Sequence, residues 1–186
     1  MRLETTMPDF NKILTPGNLD EGWVNAIVDI PQGSSLKIEY DRNNGIFMLD
    51  RVEPNVFPKP VNYGFIPATK DEDGDELDVL LVAHEPIPTG VLVKSKILGI
   101  FNFEDDGEMD YKIVCVPADD RNTGDSINSM EDLGKRWKEK IEFHFAHYKD
   151  LKKPGTTKVL GWGDIEEAKQ IVHECMDRFK KEGFSK

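Results

Sequence analysis

Six acidic side chains fall within the eight residues 71–78: Asp71, Glu72, Asp73, Asp75, Glu76 and Asp78. Such a run repels itself unless water spreads the charge or cations neutralise it. It leads straight into the apolar residues Leu77 and 79–82. A freely solvated loop does not normally feed a buried strand, so these carboxylates are expected on a rigid edge. Hard oxygen ligands there favour Mg²⁺, Mn²⁺ or Ca²⁺. A second cluster, Glu104, Asp105, Asp106, Glu108 and Asp110, is followed by Tyr111, Lys112 and the apolar run 113–116. Two strand-anchored clusters that meet across a cleft could share several ions. Paired cations of that kind clamp a reacting phosphoryl group and activate water. Bases stand where they could grip an anion: Lys37 beside Glu39, then Arg51, Lys112 and the pair Tyr148-Lys149, with Tyr63 in a glycine-containing turn. Acids for metals with Lys, Arg and Tyr for phosphate oxygens suit hydrolysis of a small polyanion.

The elements that must position these groups are mostly strands. Residues 24–30 read as a strand ending at Pro31. Residues 36–40 alternate, so Lys37 and Glu39 share a face. Asp41-Arg42-Asn43-Asn44-Gly45 is turn chemistry, and 46–49 returns as the second arm of a hairpin. Pro54, Pro58, Pro60 and Pro67 mark an irregular connection carrying Asn62-Tyr63-Gly64-Phe65. Residues 77–82 form the next strand, and 91–101 with 111–117 a second hairpin-like pair. The last third is helical. Ser129 with Asp132 offers a variant capping box for a helix carrying Leu133, Trp137, Ile141 and Phe145. A final helix starts at Asp164 and stops at Gly183. Residues 1–22 read as an extended or loosely ordered arm, and 23–186 as a single domain. Short strands followed by two helices predict an α+β, mainly β fold: a small antiparallel barrel with two flanking C-terminal helices.

The chain has 186 residues and a net charge of −11, with 35 acids against 24 bases. That balance disfavours nucleic-acid and anionic-membrane partners, which call for a basic surface. No apolar stretch approaches the roughly 20 residues of a membrane span, and the first residues lack the apolar core of a signal peptide. Cys115 and Cys175 lie in apolar patterns and read as buried free thiols of a cytoplasmic protein. Neither has a partner at zinc-ligand spacing. An EF-hand reading from Asp71 fails, with Glu76 where Gly is wanted and Val82 where Glu is wanted. His84, His144, His147 and His173 sit in apolar or helical settings and are read as non-catalytic.

Taken together, these residues resemble the soluble family I inorganic pyrophosphatases, of the bacterial type. The segment Asp73-Gly74-Asp75-Glu76-Leu77-Asp78-Val79 fits the family pattern D-[SGDN]-D-[PE]-[LIVMF]-D-[LIVMGAC] at every position. The resemblance runs through Lys37-Ile38-Glu39, Asp50-Arg51, Asn62-Tyr63-Gly64-Phe65, Asp105, Asp110-Tyr111-Lys112 and Phe145-Ala146-His147-Tyr148-Lys149-Asp150-Leu151. It implies an OB-like five-stranded barrel that hydrolyses inorganic diphosphate to two orthophosphates with Mg²⁺ and a metal-activated water, Mn²⁺ being a substitute. Carried over, Asp73, Asp78, Asp105 and Asp110 are metal ligands and Asp75 is the proton acceptor for the attacking water. Lys37, Arg51, Tyr63, Tyr148 and Lys149 grip phosphate. Glu39 orders a further metal or its waters, and Lys112 balances charge among the metals. Asp71, Glu72, Glu76, Asp106 and Glu108 are left as solvated flank. A homo-oligomer is implied, a hexamer before a dimer.

The chain departs from the family in two places. Lys59-Pro60, or Phe57-Pro58, stands where a Tyr-Pro pair is common, which adds a cation or removes a hydroxyl. Asp29 stands where many bacterial members carry Glu. Two other classes of function stay open on the residues alone. One is a metal-dependent nucleotide hydrolase or DxD glycosyltransferase, against which stands the lack of a Walker-type loop. The other is a non-catalytic barrel serving as a binding module.

Overall fold

The computed structural model describes residues 9–122 and 126–184. The strand expected from residue 24 is β2 (Trp23–Ile30), and it is shared between two neighbours. Its first half pairs with β7 (Leu92–Asp105), Trp23 opposite Lys96 through Ile27 opposite Leu92. Its second half pairs with β5 (Asn62–Phe65), Val28 opposite Gly64. Only glycine permits that approach: a Cβ on Gly64 would lie 1.9 Å from the Ile27 carbonyl oxygen.

From β5 the ladder continues through β6 (Asp78–Leu81) and β9 (Lys112–Pro117) to β7, and so back to β2. The result is the expected five-stranded barrel, with the OB-like fold and more strand than helix. One pairing differs in direction. β6 and β9 run parallel, with Asp78 opposite Lys112, where antiparallel pairs were expected throughout. The fourteen-residue β7 is the crossover that allows it, bulging between Ile97 and Gly99 as it pairs with β9.

Outside the barrel, β3 (Leu36–Asp41) and β4 (Ile46–Val52) form the expected hairpin as a separate sheet. Short strands β1 (Gly17–Asn18) and β8 (Glu108–Met109) border β2 and β7. β10 (Thr157–Gly163) adds to the far edge of β7 and was not anticipated. Residues 9–22 are not loose. They contain α1 (Phe10–Ile13), and Asn11 within it is buried. The first eight residues of the expected arm lie outside the described residues.

Two long helices cover the sheet. α3 (Ile165–Glu182) is capped by Asp164 and ends at Gly183, as its sequence predicts. It seals one apolar cluster with Ala168, Val172 and Cys175 against strand residues such as Val28, Val79 and Cys115. α2 (Gly134–His147) buries Ile141 and Phe145 against Leu80, Phe101 and Phe103 in a second. The Ser129 cap sits earlier than expected. Asp132 accepts from the Ser129 hydroxyl and amide, but it fixes a turn, and the helix proper begins at Gly134 without a side-chain cap. Both cysteines are buried and free. No helix among the described residues is long and apolar enough to cross a membrane.

His144 of α2 is buried, stacked on Tyr148 and edge-on to Phe57. Burial pushes its pKa down to about 3, with the charges of Lys59 and Lys140 adding to the effect. It is therefore neutral in the fold, whereas an unfolded histidine takes up a proton below about pH 6.5. Its contribution to stability is fully present above that pH and falls away as pH drops toward the folded value. Between pH 7 and pH 5 the unaltered protein should lose about 2 kcal/mol more stability than His144→Phe. Urea unfolding of both at the two pH values checks this; equal losses would show that His144 takes up protons without unfolding.

Candidate active site

The parallel β6–β9 register decides where the two acidic clusters meet. Asp78 opens β6 and Lys112 opens β9, side by side. The Lys112 ammonium is 1% exposed, 2.9 Å from Asp78 Oδ2 and 2.7 Å from Asp110 Oδ1, and it also donates to Tyr63 Oη at 3.0 Å. Burial alone would lower its pKa, but Asp110 and Asp78 together outweigh that and hold it well above the usual lysine range. Asp110 is raised, first by burial and, against the pull of Lys112, by Asp78. Asp73, open to solvent on one side, is pushed up to about 7, first by the protein around it and then, against the Asp75 amide, by Asp78 and Asp110.

These groups form the floor of a cleft of about 340 Å³. Its other wall is the β3–β4 hairpin, where Lys37 stands opposite Arg51 in register. Lys37 pairs with Glu39 on its own face, and Arg51 is 2.6 Å from both Asp50 and Glu53. The third side is the end of α2, where Lys149 pairs with Asp105 and Tyr148 Oη lies 3.3 Å from that carboxylate. Tyr63 donates to Asp78. Both tyrosines are raised by burial first and then by the carboxylates they face, so they stay protonated donors at neutral pH. All twelve residues singled out in the sequence, from Lys37 and Glu39 to Tyr148 and Lys149, line this one cleft.

The acidic loop is more ordered than its composition suggests. Gly74 adopts φ +93°, a turn that other residues resist. The Asp75 amide donates to Asp73 at 3.0 Å. Two of the acids assigned to solvated flank are buried. Glu76 accepts from Asn11 at 2.6 Å and from Arg42 at 2.7 Å. Asp71 accepts from the Glu72 and Tyr111 amides, with its pKa raised by burial to about 6. Both tie the loop to distant chain, which is why they are not free to be solvated. Glu72, Asp106 and Glu108 are exposed as expected.

Besides Glu76, four further lining residues carry charge. Arg42, which reads as a mere turn residue in sequence, lies 2.7 Å from Asp75. Glu53 holds Arg51. Lys59 places its ammonium on the Tyr63 ring. Asp29 is buried with Oδ1 unpartnered among the described residues, and burial raises its pKa well above the carboxylate range, with Asp78, Glu76 and Glu39 adding to it. Asp29 and Lys59 are visible in the sequence only as departures from a family pattern; nothing local signals Arg42 or Glu53.

Divalent cations suit this donor set. Among the described residues no three carboxylates converge tightly enough to cage an ion. Mg²⁺ keeps several of its waters and needs only one or two carboxylates. The raised carboxyls of Asp73 and Asp110, and the orphaned Asp29 oxygen, mark an excess of negative field that such an ion relieves.

A family profile described as inorganic pyrophosphatase matches residues 26–180. The chain belongs to that family. It is 57% identical over 176 residues to an inorganic pyrophosphatase of Neisseria meningitidis serogroup B, covering 95% of this chain and 99% of the relative. It is 57% identical over 175 residues to that of Haemophilus influenzae, covering 94% and 99%. The crystal structure of an inorganic pyrophosphatase from Neisseria gonorrhoeae superposes with a TM-score of 0.91 at 56% identity, covering 92% of this chain and 99% of that one. The Thermus thermophilus enzyme gives 0.83 at 37% identity, with coverage of 90% and 97%. The family resemblance and the barrel expected from the sequence are both borne out.

Within this member of the pyrophosphatase family, Lys112 is the charge that lets Asp78 and Asp110 share a site. Lys112→Met would leave two partly buried carboxylates facing each other. The expected cost is about 3 kcal/mol at neutral pH, measured by urea unfolding. A loss under about 1 kcal/mol would mean that water already neutralises the pair.

Proposed function

We propose that this chain is an Mg²⁺-dependent hydrolase that splits inorganic diphosphate into two orthophosphates. Membership of the inorganic pyrophosphatase family makes it a hydrolase of pyrophosphate. The observation that carries the finer reading is the single cleft with Asp73, Asp78, Asp105 and Asp110 on one side and Lys37, Arg51 and Lys149 on the others. The four aspartates would hold the ions. When bound, Mg²⁺ neutralises the polyanion and eases deprotonation of water, and Mn²⁺ is a workable substitute.

The chain's own groups do the rest. Asp75 is held at the cleft mouth by Arg42 and takes a proton on its carboxylate from the attacking water. Lys37, Arg51 and Lys149 donate to phosphoryl oxygens and stabilise charge that shifts onto the leaving phosphate. Their carboxylate partners release them when a more highly charged anion arrives. Tyr63 and Tyr148 add neutral hydroxyl donors. Glu39, paired with Lys37, keeps that lysine aimed along the hairpin face. Lys112 remains a fixed counter-charge.

Phosphate release from diphosphate should be fast with Mg²⁺ and abolished by chelator, and ATP and tripolyphosphate should be poor substrates beside it. Asp75→Asn should lower kcat by about 10²–10⁴-fold. Turnover untouched by that change would remove the base role, and no release from folded protein with any metal would leave a binding module.

We also propose a homo-oligomer, a hexamer before a dimer. Met48, Leu49, Val52 and Val56 on and beyond the hairpin, and Phe143 on α2, are half exposed or more, apolar surface that contacts between subunits would cover. Sedimentation equilibrium should give a multiple of 21.2 kDa; a strict monomer at micromolar concentration would refute it.

A further inference from the structure

Six cations line the cleft: Lys37, Arg42, Arg51, Lys59, Lys112 and Lys149. Five of them are paired with carboxylates of the protein. Lys59 is the exception. Among the described residues its ammonium has no carboxylate at ion-pair distance and no hydrogen-bond acceptor. It lies 4.1 Å from the centre of the Tyr63 ring and 5.6 Å from those of Tyr148 and Phe145. Aromatic faces hold a cation in place without occupying its N–H groups as acceptors would.

A lysine used only for packing runs its ammonium out to water. This one points inward to the cleft wall, and its backbone is fixed there. The Lys59 amide donates to the Ser34 carbonyl and its carbonyl accepts from the Gly33 amide, both at 2.9 Å. The connection from β4 to β5 is thus pinned to the turn that follows β2, at the position that brings the side chain over Tyr63. Burial, then repulsion from Lys112, lowers its pKa to about 8, so it is still mostly charged at neutral pH. A charge kept half-desolvated with no internal partner is costly. A ligand that brings negative charge into the cleft removes that cost.

We propose that Lys59 is a substrate-contacting residue, whose ammonium takes a phosphoryl oxygen of diphosphate and then holds one product phosphate. This rests on the diphosphatase reading above. Its consequence is specific. Lys37, Arg51 and Lys149 must exchange a carboxylate for the substrate, so each returns only the difference between two ion pairs. Lys59 exchanges nothing, and its contact comes with little competing loss.

The test uses Lys59→Met, which keeps length without charge, and Lys59→Arg, which restores charge. Inorganic phosphate is titrated into each protein with Mg²⁺ present, followed by calorimetry, and KM and kcat for diphosphate are measured alongside. Losing a charged hydrogen bond should weaken phosphate binding in Lys59→Met by about tenfold or more. KM should rise by a similar factor with a smaller change in kcat, and Lys59→Arg should recover most of the affinity. Phosphate affinity and KM unchanged in Lys59→Met would overturn the assignment. So would equal losses in both variants with lowered melting temperatures, which mark a packing role. Failure of the unaltered protein to turn over diphosphate would sink the diphosphatase reading alone, because the phosphate titration reads the Lys59 contact without turnover. Phosphate binding to neither the unaltered protein nor the variants would overturn the Lys59 contact with product, whatever the turnover.

Discussion

Everything in the cleft depends on one buried ammonium. The strand pair β6–β9 could not bring Asp78 beside Asp110 at this density of charge without Lys112 between them. Desolvating a lysine is expensive, and desolvating two carboxylates at close range is worse. Placed together, each relieves the other. The parallel direction is what makes the arrangement reachable: it sets the first residues of both strands at the same end of the sheet, so the loops that precede them, both acidic, converge. An antiparallel pairing would have sent those loops to opposite ends. The long crossover strand β7 and its bulge are the structural cost of that direction.

Local features were legible in the chain; long-range ones were not. The acid-rich loop, the β3–β4 hairpin and the Asp164-capped helix are each written within a few residues, as spacing, turn chemistry or capping. The family resemblance, carried by segments from Lys37 to Lys149, then named the site residues, and all of them do line one cleft. What escaped depends on partners far along the chain. Glu76 looked like surface charge because Asn11 and Arg42 lie 65 and 34 residues away. Asp71 depends on an amide 40 residues on. The strand β10 hides behind Gly161, Gly163 and the exposed Lys158 and Leu160, since only its pairing with β7 makes it a strand. Direction of pairing leaves no trace in a short apolar run such as Asp78–Leu81, so the parallel register had to come from the fold.

The acidic loop shows how a charged segment becomes rigid without becoming neutral. The Asp71 amide donates to the Asp75 carbonyl at 2.7 Å, and Glu76 is fixed by a guanidinium from the hairpin and an amide side chain from α1. The acids that carry no assigned chemistry thus hold in place the ones that do. Asn11 closes the network by accepting from the Ala68 amide at 2.8 Å, so a side chain of the N-terminal segment helps hold the loop.

The two-stranded sheet β3–β4 shares no ladder with the barrel. It is fastened by side chains instead: the Arg42 guanidinium on Asp75 and Glu76, and an aromatic cluster. Tyr40 stacks on Phe65 of the barrel at 5.4 Å, with Phe47 and Phe10 packed around it, and its hydroxyl accepts from the Phe10 amide. The carboxylate wall therefore stands on the barrel ladder and the Lys37–Arg51 wall on a sheet joined to it by side chains. Their separation is set by the stacked rings together with the 2.7 Å contacts of Arg42 to Asp75 and Glu76. The placement of Lys37 and Arg51 thus depends on how side chains pack and pair beneath the hairpin, while that of the aspartates on β6 depends on the barrel ladder.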